Sequence, residues 1–111
     1  MSTKCIIGYM EKTGNIIASE VEHDGYITDG VGDVLRNYYS APEDAKWIVS
    51  LGDRDYIATQ EAATNISKFK NLEDFECQYS TRDDLAFIFL YKEKAWYFRP
   101  WNVKETDWSK L

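Results

Sequence analysis

The chain has 111 residues, 44% of them hydrophobic, with a formal net charge of −6 and a sequence pI of about 4.7. This length and apolar content predict one folded domain over residues 1–111 and exclude a disordered chain. The negative charge disfavours direct binding to nucleic acid or to an anionic membrane surface, because both repel carboxylates.

The N-terminal third predicts a β-hairpin followed by a helix. Apolar runs predict strands at 3–9 and 16–21, with turn residues between them. A helix is expected over 29–39, because its apolar residues recur at the spacing of one helical face. These residues are Val31, Val34, Leu35 and Tyr38.

A second helix is predicted over 42–51. Ser40 is expected to cap its N-terminus, with Glu43 closing a capping box. Gly52 stands where the helix should end, since glycine readily adopts the left-handed conformation found there.

Residues 53–70 give the weakest signal, and a helical turn at 58–63 and an irregular loop are both open interpretations. A short third helix is expected over 71–78. Asn71 is its predicted cap, and Phe75 should face the core.

The C-terminal part predicts a second hairpin, with strands at 85–91 and 95–99. The first of these strands is apolar on both faces. It is therefore either central and covered twice, or its second face meets another subunit or a partner. The simplest arrangement is an α+β fold in which both hairpins form one antiparallel sheet and two or three helices pack on one face.

The sequence contains no recognisable arrangement for catalysis or metal binding. The single histidine, His23, lies among carboxylates but matches no metal-binding spacing and no nucleophile pattern. Cys5 and Cys77 are far apart and are expected to be free thiols in a reducing cytosol. We therefore predict a protein that is not an enzyme and uses no metal or cofactor.

Carboxylates are concentrated at 19–33, which contains five acidic residues and no Lys or Arg. Carboxylates among aromatic rings can imitate nucleic acid in the basic groove of a protein, although solvated turns and helix ends explain them equally well. The predicted partner-binding residues are Glu20, Glu22, Asp24, Tyr26, Asp29 and Asp33.

A nucleotide-binding site is the alternative hypothesis. Tyr26 or Trp96 would stack on a base, and the guanidinium of Arg54 or Arg99 would hold a phosphate. Local ion pairs are the ordinary role of an arginine that stands between two aspartates, as Arg54 does. The glycines at 25–32 match neither the dinucleotide-binding pattern nor the P-loop.

Four short motifs extend along most of the chain: Glu22-His23-Asp24-Gly25-Tyr26-Ile27, Leu51-Gly52-Asp53, Phe69 to Phe75 and Ala95-Trp96-Tyr97. They resemble a family of small phage and prophage proteins, in which a strand ends in His-Trp-Asp-Gly-Tyr-Pro and a later helix stops at Leu-Gly-Asp. Glu22 and His23 replace the family's His and Trp. The resemblance implies a phage-encoded accessory protein in the cytoplasm of a bacterial host and brings no biochemical activity with it.

Small acidic phage proteins without catalytic signatures are often antagonists of host defence, and this analogy gives the first functional hypothesis. The chain would be an anti-CRISPR-like inhibitor that binds a host immune effector protein and covers its basic nucleic-acid-binding groove. The alternative is a sponge, expected to be a homodimer, that sequesters a nucleotide immune signal of the cyclic nucleotide or cyclic ADP-ribose type.

Overall fold

A six-stranded sheet and three helices form the part of the chain described by this computed structural model, residues 3–58, 65–101 and 107–111. The architecture is α+β, as predicted. The elements in chain order are β1 (Lys4–Met10), β2 (Ile16–Val21), α1 (Val31–Tyr38), α2 (Pro42–Ser50), β3 (Ser67–Phe69), α3 (Leu72–Tyr79), β4 (Leu85–Lys92), β5 (Ala95–Pro100) and β6 (Ser109–Lys110).

The strand order is β3-β2-β1-β4-β5-β6, which makes β1 and β4 the central pair. Both predicted hairpins are present, β1 with β2 and β4 with β5. The prediction of a purely antiparallel sheet is wrong, because β1 pairs with β4 in parallel. The chain between these two strands contains all three helices of the described residues and is long enough for the crossover that parallel pairing requires.

Helices cover both faces of the sheet, so the prediction that they pack on one face is also wrong. Along β1 and β4, alternate side chains point to opposite faces. Ile7 and Phe89 lie in the core beneath α1 and α2, whereas Ile6 and Ile88 lie in the core with Phe75 of α3. The central strand predicted at 85–91 is apolar on both faces, and helices cover both of them: α1 and α2 on one face and α3 on the other.

α1 departs from its prediction at both ends. It begins at Val31, because Asp29 has a φ of +56° and Gly30 is the N-cap residue. Val31 and Leu35 are buried as expected. Tyr38 was expected on the buried face but is 73% exposed, and Tyr39 packs against the core instead.

α2 starts without the predicted capping box. Its N-cap residue is Ala41 and not Ser40, and among the described residues no side-chain cap hydrogen bond is made there. The Ser40 carbonyl instead accepts a 2.8 Å hydrogen bond from the Tyr91 hydroxyl, which ties this connection to the sheet. Gly52 has a φ of +90° just after the helix, as the predicted stop requires.

α3 is capped as predicted, since the Asp74 amide donates to Asn71 Oδ1 at 2.8 Å. Strands β3 and β6 were not predicted, because two or three residues show no periodicity. The proposed helical turn at 58–63 lies outside the described residues except for Ala58. Among the described residues, no helix is long and apolar enough to cross a bilayer.

Candidate protein-binding surface

The net negative charge comes from one segment, residues 20–56, which includes α1 and α2. It has nine acidic and three basic side chains and thus carries the whole net charge of −6. The rest of the chain has ten acidic and ten basic side chains, which cancel. α1 and α2 pack on the same face of the sheet, but their own side chains sum to only −1. The rest of the charge lies on β2 and on the loops that flank the two helices.

The same segment presents large aromatic side chains to solvent. Trp47 stacks on Tyr39 with ring centroids 6.2 Å apart, and His23 stacks on Tyr56 at 4.8 Å. Rings held in this way lose less conformational freedom when a partner covers them. In the described part of the chain, the large hydrophobic residues that are strongly exposed all belong to this segment: Tyr26, Tyr38, Trp47 and Tyr56. We call the exposed side chains of residues 20–56 the acidic–aromatic face.

Two of the predicted partner-binding residues, Glu20 and Glu22, lie in an ion-pair network. Arg82 contacts Glu20 at 3.0 Å and holds Asp84 through two hydrogen bonds of 2.7 and 2.9 Å. Lys4 lies 3.8 Å from Glu22 and 3.6 Å from Asp84. The guanidinium lowers the pKa of Asp84 to about 2, while a hydrogen bond to Glu20 raises the pKa of Glu22. Nearby cations therefore offset most of the charge of these carboxylates.

Asp33 has a local structural role, whereas Asp24 and Asp29 are available at the surface. Asp33 accepts a 2.7 Å hydrogen bond from the Asp29 amide and a 2.6 Å bond from Arg36. Asp24 and Asp29 are exposed, and no ion pair involves them within the described ranges. Their φ angles of +60° and +56° are ones that aspartate tolerates better than most residues.

Close backbone packing explains the glycines of the loop that presents Asp24 and Tyr26. A Cβ on Gly30 would lie 2.4 Å from the Asp24 carbonyl oxygen, and one on Gly32 would lie 2.3 Å from that of Ile27. Both distances are too short for any side chain. These glycines let the loop fold tightly onto itself, which accounts for them without a phosphate ligand.

Arg54, proposed from the sequence to hold a ligand phosphate, is an internal cap of α2. It is only 7% exposed, and its Nη1 and Nη2 atoms donate to the carbonyls of Gly52 and Ile48 at 3.0 and 2.6 Å. Burial lowers the pKa of the guanidinium without deprotonating it. The cation thus satisfies carbonyl groups that the helix leaves unpaired at its C-terminus.

The other residues of the predicted nucleotide site are separated by the sheet. Trp96 is buried on the α1–α2 side, where its Nε1 donates to the Tyr39 carbonyl at 2.8 Å. Arg99 pairs with Glu76 of α3 on the opposite side. Tyr26 is exposed in the loop before α1. The structure therefore does not bring these residues and Arg54 together around one ligand.

Sequence reasoning missed the exposed rings of Tyr38, Trp47 and Tyr56. Helical periodicity assigned Tyr38 to the core. A running count of charge along the sequence would have located the acidic part of this face, because residues 20–56 alone account for the net charge.

No family model, curated protein or solved structure matches this chain. Within the described residues, no group of three or more His, Cys, Asp or Glu side chains is arranged to hold a metal ion. The protein is thus defined by its fold and its surface: an α+β domain with one acidic–aromatic face.

Proposed function

We propose that this chain is a non-enzymatic inhibitor that binds a basic surface of another protein through its acidic–aromatic face. One observation carries the proposal: the segment with the entire net charge also contains the large exposed hydrophobic residues. Carboxylates steer and orient a positively charged partner, and buried aromatic rings supply most of the affinity at such interfaces.

The proposed partner is an immune effector of a bacterial host, and the basic surface is its nucleic-acid-binding groove. Such grooves are lined with Lys and Arg that neutralise phosphates, and a rigid acidic face can compete for the same side chains. The phage origin and the location in the host cytoplasm rest on the resemblance of the motifs between Glu22 and Tyr97. The fold adds the surface through which the inhibitor would act.

Different residues of the face would have different tasks. Asp24 and Asp29 would steer the partner, because their carboxylates are exposed and unpaired among the described residues. Trp47 and Tyr38 would supply affinity, because covering them removes large apolar surfaces from water. Glu20, Glu22 and Asp33 would contribute less, since cations already offset their charge.

The test is capture of a partner by the immobilised chain from lysate of the bacterial host, using wild type and the double variant Asp24→Asn/Asp29→Asn, since asparagine tolerates the positive φ of both positions. Glu73→Gln/Asp83→Asn is the matched control, since it makes the same charge change at exposed positions outside 20–56. We expect wild type and the control to retain a nucleic-acid-binding protein that the first variant loses.

The retained protein is then assayed for nucleic-acid binding with increasing amounts of the chain. We expect inhibition that saturates at a fixed stoichiometry, without turnover. The proposal fails if the captured protein is retained equally by all three chains, or if it binds nucleic acid unhindered when saturated with the wild-type chain.

A further inference from the structure

A cleft of about 370 Å³ lies at the carboxyl ends of β1 and β4. These two strands form the parallel pair at the centre of the sheet. Crevices beyond the carboxyl ends of parallel strands are frequent ligand sites, because the chain leaves the two strands in different directions. Here β1 continues into the turn before β2, and β4 continues into the turn at 93–94. The volume is in the range of small-molecule sites.

The cleft has an aromatic wall. Tyr9 and Tyr91 are paired in register, and their rings stack with centroids 5.6 Å apart and an interplanar angle of 12°. The hydroxyl of Tyr91 is anchored on the Ser40 carbonyl, and Pro42 at the start of α2 adds another apolar contact. Tyr9 is only partly buried, so part of its side chain can meet a ligand. Such a wall favours a planar ring.

Two ammonium groups at the cleft form no ion pair among the described residues and can hold a negative ligand group. Lys12 and Lys94 line it from the two turns and are exposed. The Glu11 carboxylate is neutralised by Lys46 at 3.3 Å. Glu93 is the remaining carboxylate among the lining residues. Glu43 also acts on Tyr91, so the ammonium groups of Lys12, Lys46 and Lys94 are matched by the carboxylates of Glu11, Glu43 and Glu93.

The turn between β4 and β5 retains these side chains at an energetic cost. Glu93 and Lys94 have φ angles of +53° and +64°, the conformation in which a two-residue hairpin turn favours Asn-Gly. Neither residue tolerates this conformation as well as asparagine or glycine. Strain of this kind is found where a side chain is needed for function, and both strained residues line the cleft.

From these observations we propose that the cleft binds a planar aromatic anion. Its ring would pack against Tyr9, and its anionic group would lie between the ammonium groups of Lys12 and Lys94. The cleft-lining residues other than Pro42 lie outside the segment of the acidic–aromatic face, although Ser40 and Lys46, which support Tyr91 and Glu11, belong to it. Binding of the anion is therefore independent of the proposed inhibition.

Three aromatic anions serve as probes in isothermal titration: indole-3-acetate, uridine 5′-monophosphate and adenosine 5′-monophosphate. We expect saturable binding of at least one probe, with weaker or absent binding of adenosine, which lacks the charge, and of ribose 5-phosphate, which lacks the ring. No saturable binding of any of the three anions overturns the proposal. Equal binding of ribose 5-phosphate overturns the role of the aromatic wall.

The variant Lys94→Gly, which leaves the Glu93 carboxylate in place, separates binding from folding. It relieves the strained turn, so the melting temperature should rise by about 4 °C. At the same time it removes one ammonium group, so the affinity for the tightest probe should fall by roughly tenfold. Lys12→Ala should weaken the probe similarly, and Lys110→Ala in β6 is the control. Unchanged affinity in both cleft variants overturns the assignment.

Discussion

On the α3 side of the sheet the aromatic rings pack against one another, whereas on the α1–α2 side several are exposed. Phe69, Phe75 and Tyr79 make mutual edge contacts with centroids 5.4 to 5.8 Å apart. Arg99 pairs there with Glu76. On the other side Tyr38 and Trp47 point to solvent within a strongly acidic segment. The same sheet thus carries one face on which these rings pack against each other and one that presents rings to a partner.

Phe75→Ala should have the largest effect on the free energy of unfolding. This result would confirm that the rings on the α3 side stabilise the fold. Phe75 is fully buried between the sheet and its neighbouring rings. Its truncation should lower the free energy of unfolding by about 3–5 kcal/mol, measured by urea denaturation. Leu72→Ala on the same helix should cost less, because Leu72 is only partly buried. Equal losses would mean that α3 packs differently.

Arg54→Met should have the next largest effect on the free energy of unfolding. It tests whether this arginine is a helix cap. Methionine can fill similar space but leaves the carbonyls of Ile48 and Gly52 without their donors. We expect a loss of about 2 kcal/mol in the free energy of unfolding. Capture of the partner by the folded variant should be unchanged. Full stability combined with loss of partner binding would show a ligand role instead.

Trp47→Ala should behave in the opposite way to Arg54→Met. It should have a small effect on stability and a large effect on partner binding. Trp47 is 44% exposed, so its removal should cost under about 1 kcal/mol of stability. At an interface it should cost about 2 kcal/mol of binding free energy, measured by titration with the captured partner. Tyr97→Ala, on β5 outside the acidic–aromatic face, is the control. If Trp47→Ala and Tyr97→Ala bind the partner equally well, the acidic–aromatic face is not the binding surface.

The smallest effect concerns the ion pairs around Asp84. Arg82 lowers the pKa of Asp84 from 3.8 to about 2, so the pair stabilises the folded state above pH 4 and this contribution is lost as the pH falls towards 2. The site is exposed, so the effect should stay below about 1 kcal/mol. Urea denaturation of wild type and Asp84→Asn should give stabilities that converge with falling pH. A difference that grows on acidification contradicts the assignment.

Local signals in the sequence predicted local structure well. The two hairpins, the Asn71 cap and the Gly52 stop follow from turn chemistry and capping, which depend on neighbouring residues. The parallel pairing of β1 with β4 could not be predicted, because an apolar strand does not specify which strand it joins. The two-sided apolar pattern of 85–91 required a second cover but did not identify α3 as that cover.

The candidate surface was only partly predictable, because it too depends on contacts between residues that are distant in the sequence. The sequence located acidic residues at 19–33 but did not show that Arg82 and Lys4 approach Glu20 and Glu22. These cations are distant in sequence from the carboxylates and meet them only through the sheet. Exposure of Trp47 likewise depends on how far α2 is rotated on the core. Charge can be counted from sequence, whereas pairing and exposure require the fold.

The most direct test is the association rate of the chain with its captured partner as a function of salt concentration. For the wild type, we expect the rate to fall steeply as salt screens the carboxylates of the acidic–aromatic face. Asp24→Asn/Asp29→Asn should associate more slowly and with a shallower salt dependence, whereas Glu73→Gln/Asp83→Asn should behave like wild type. A rate that is independent of salt and unaffected by the first double substitution would contradict the proposed mode of binding.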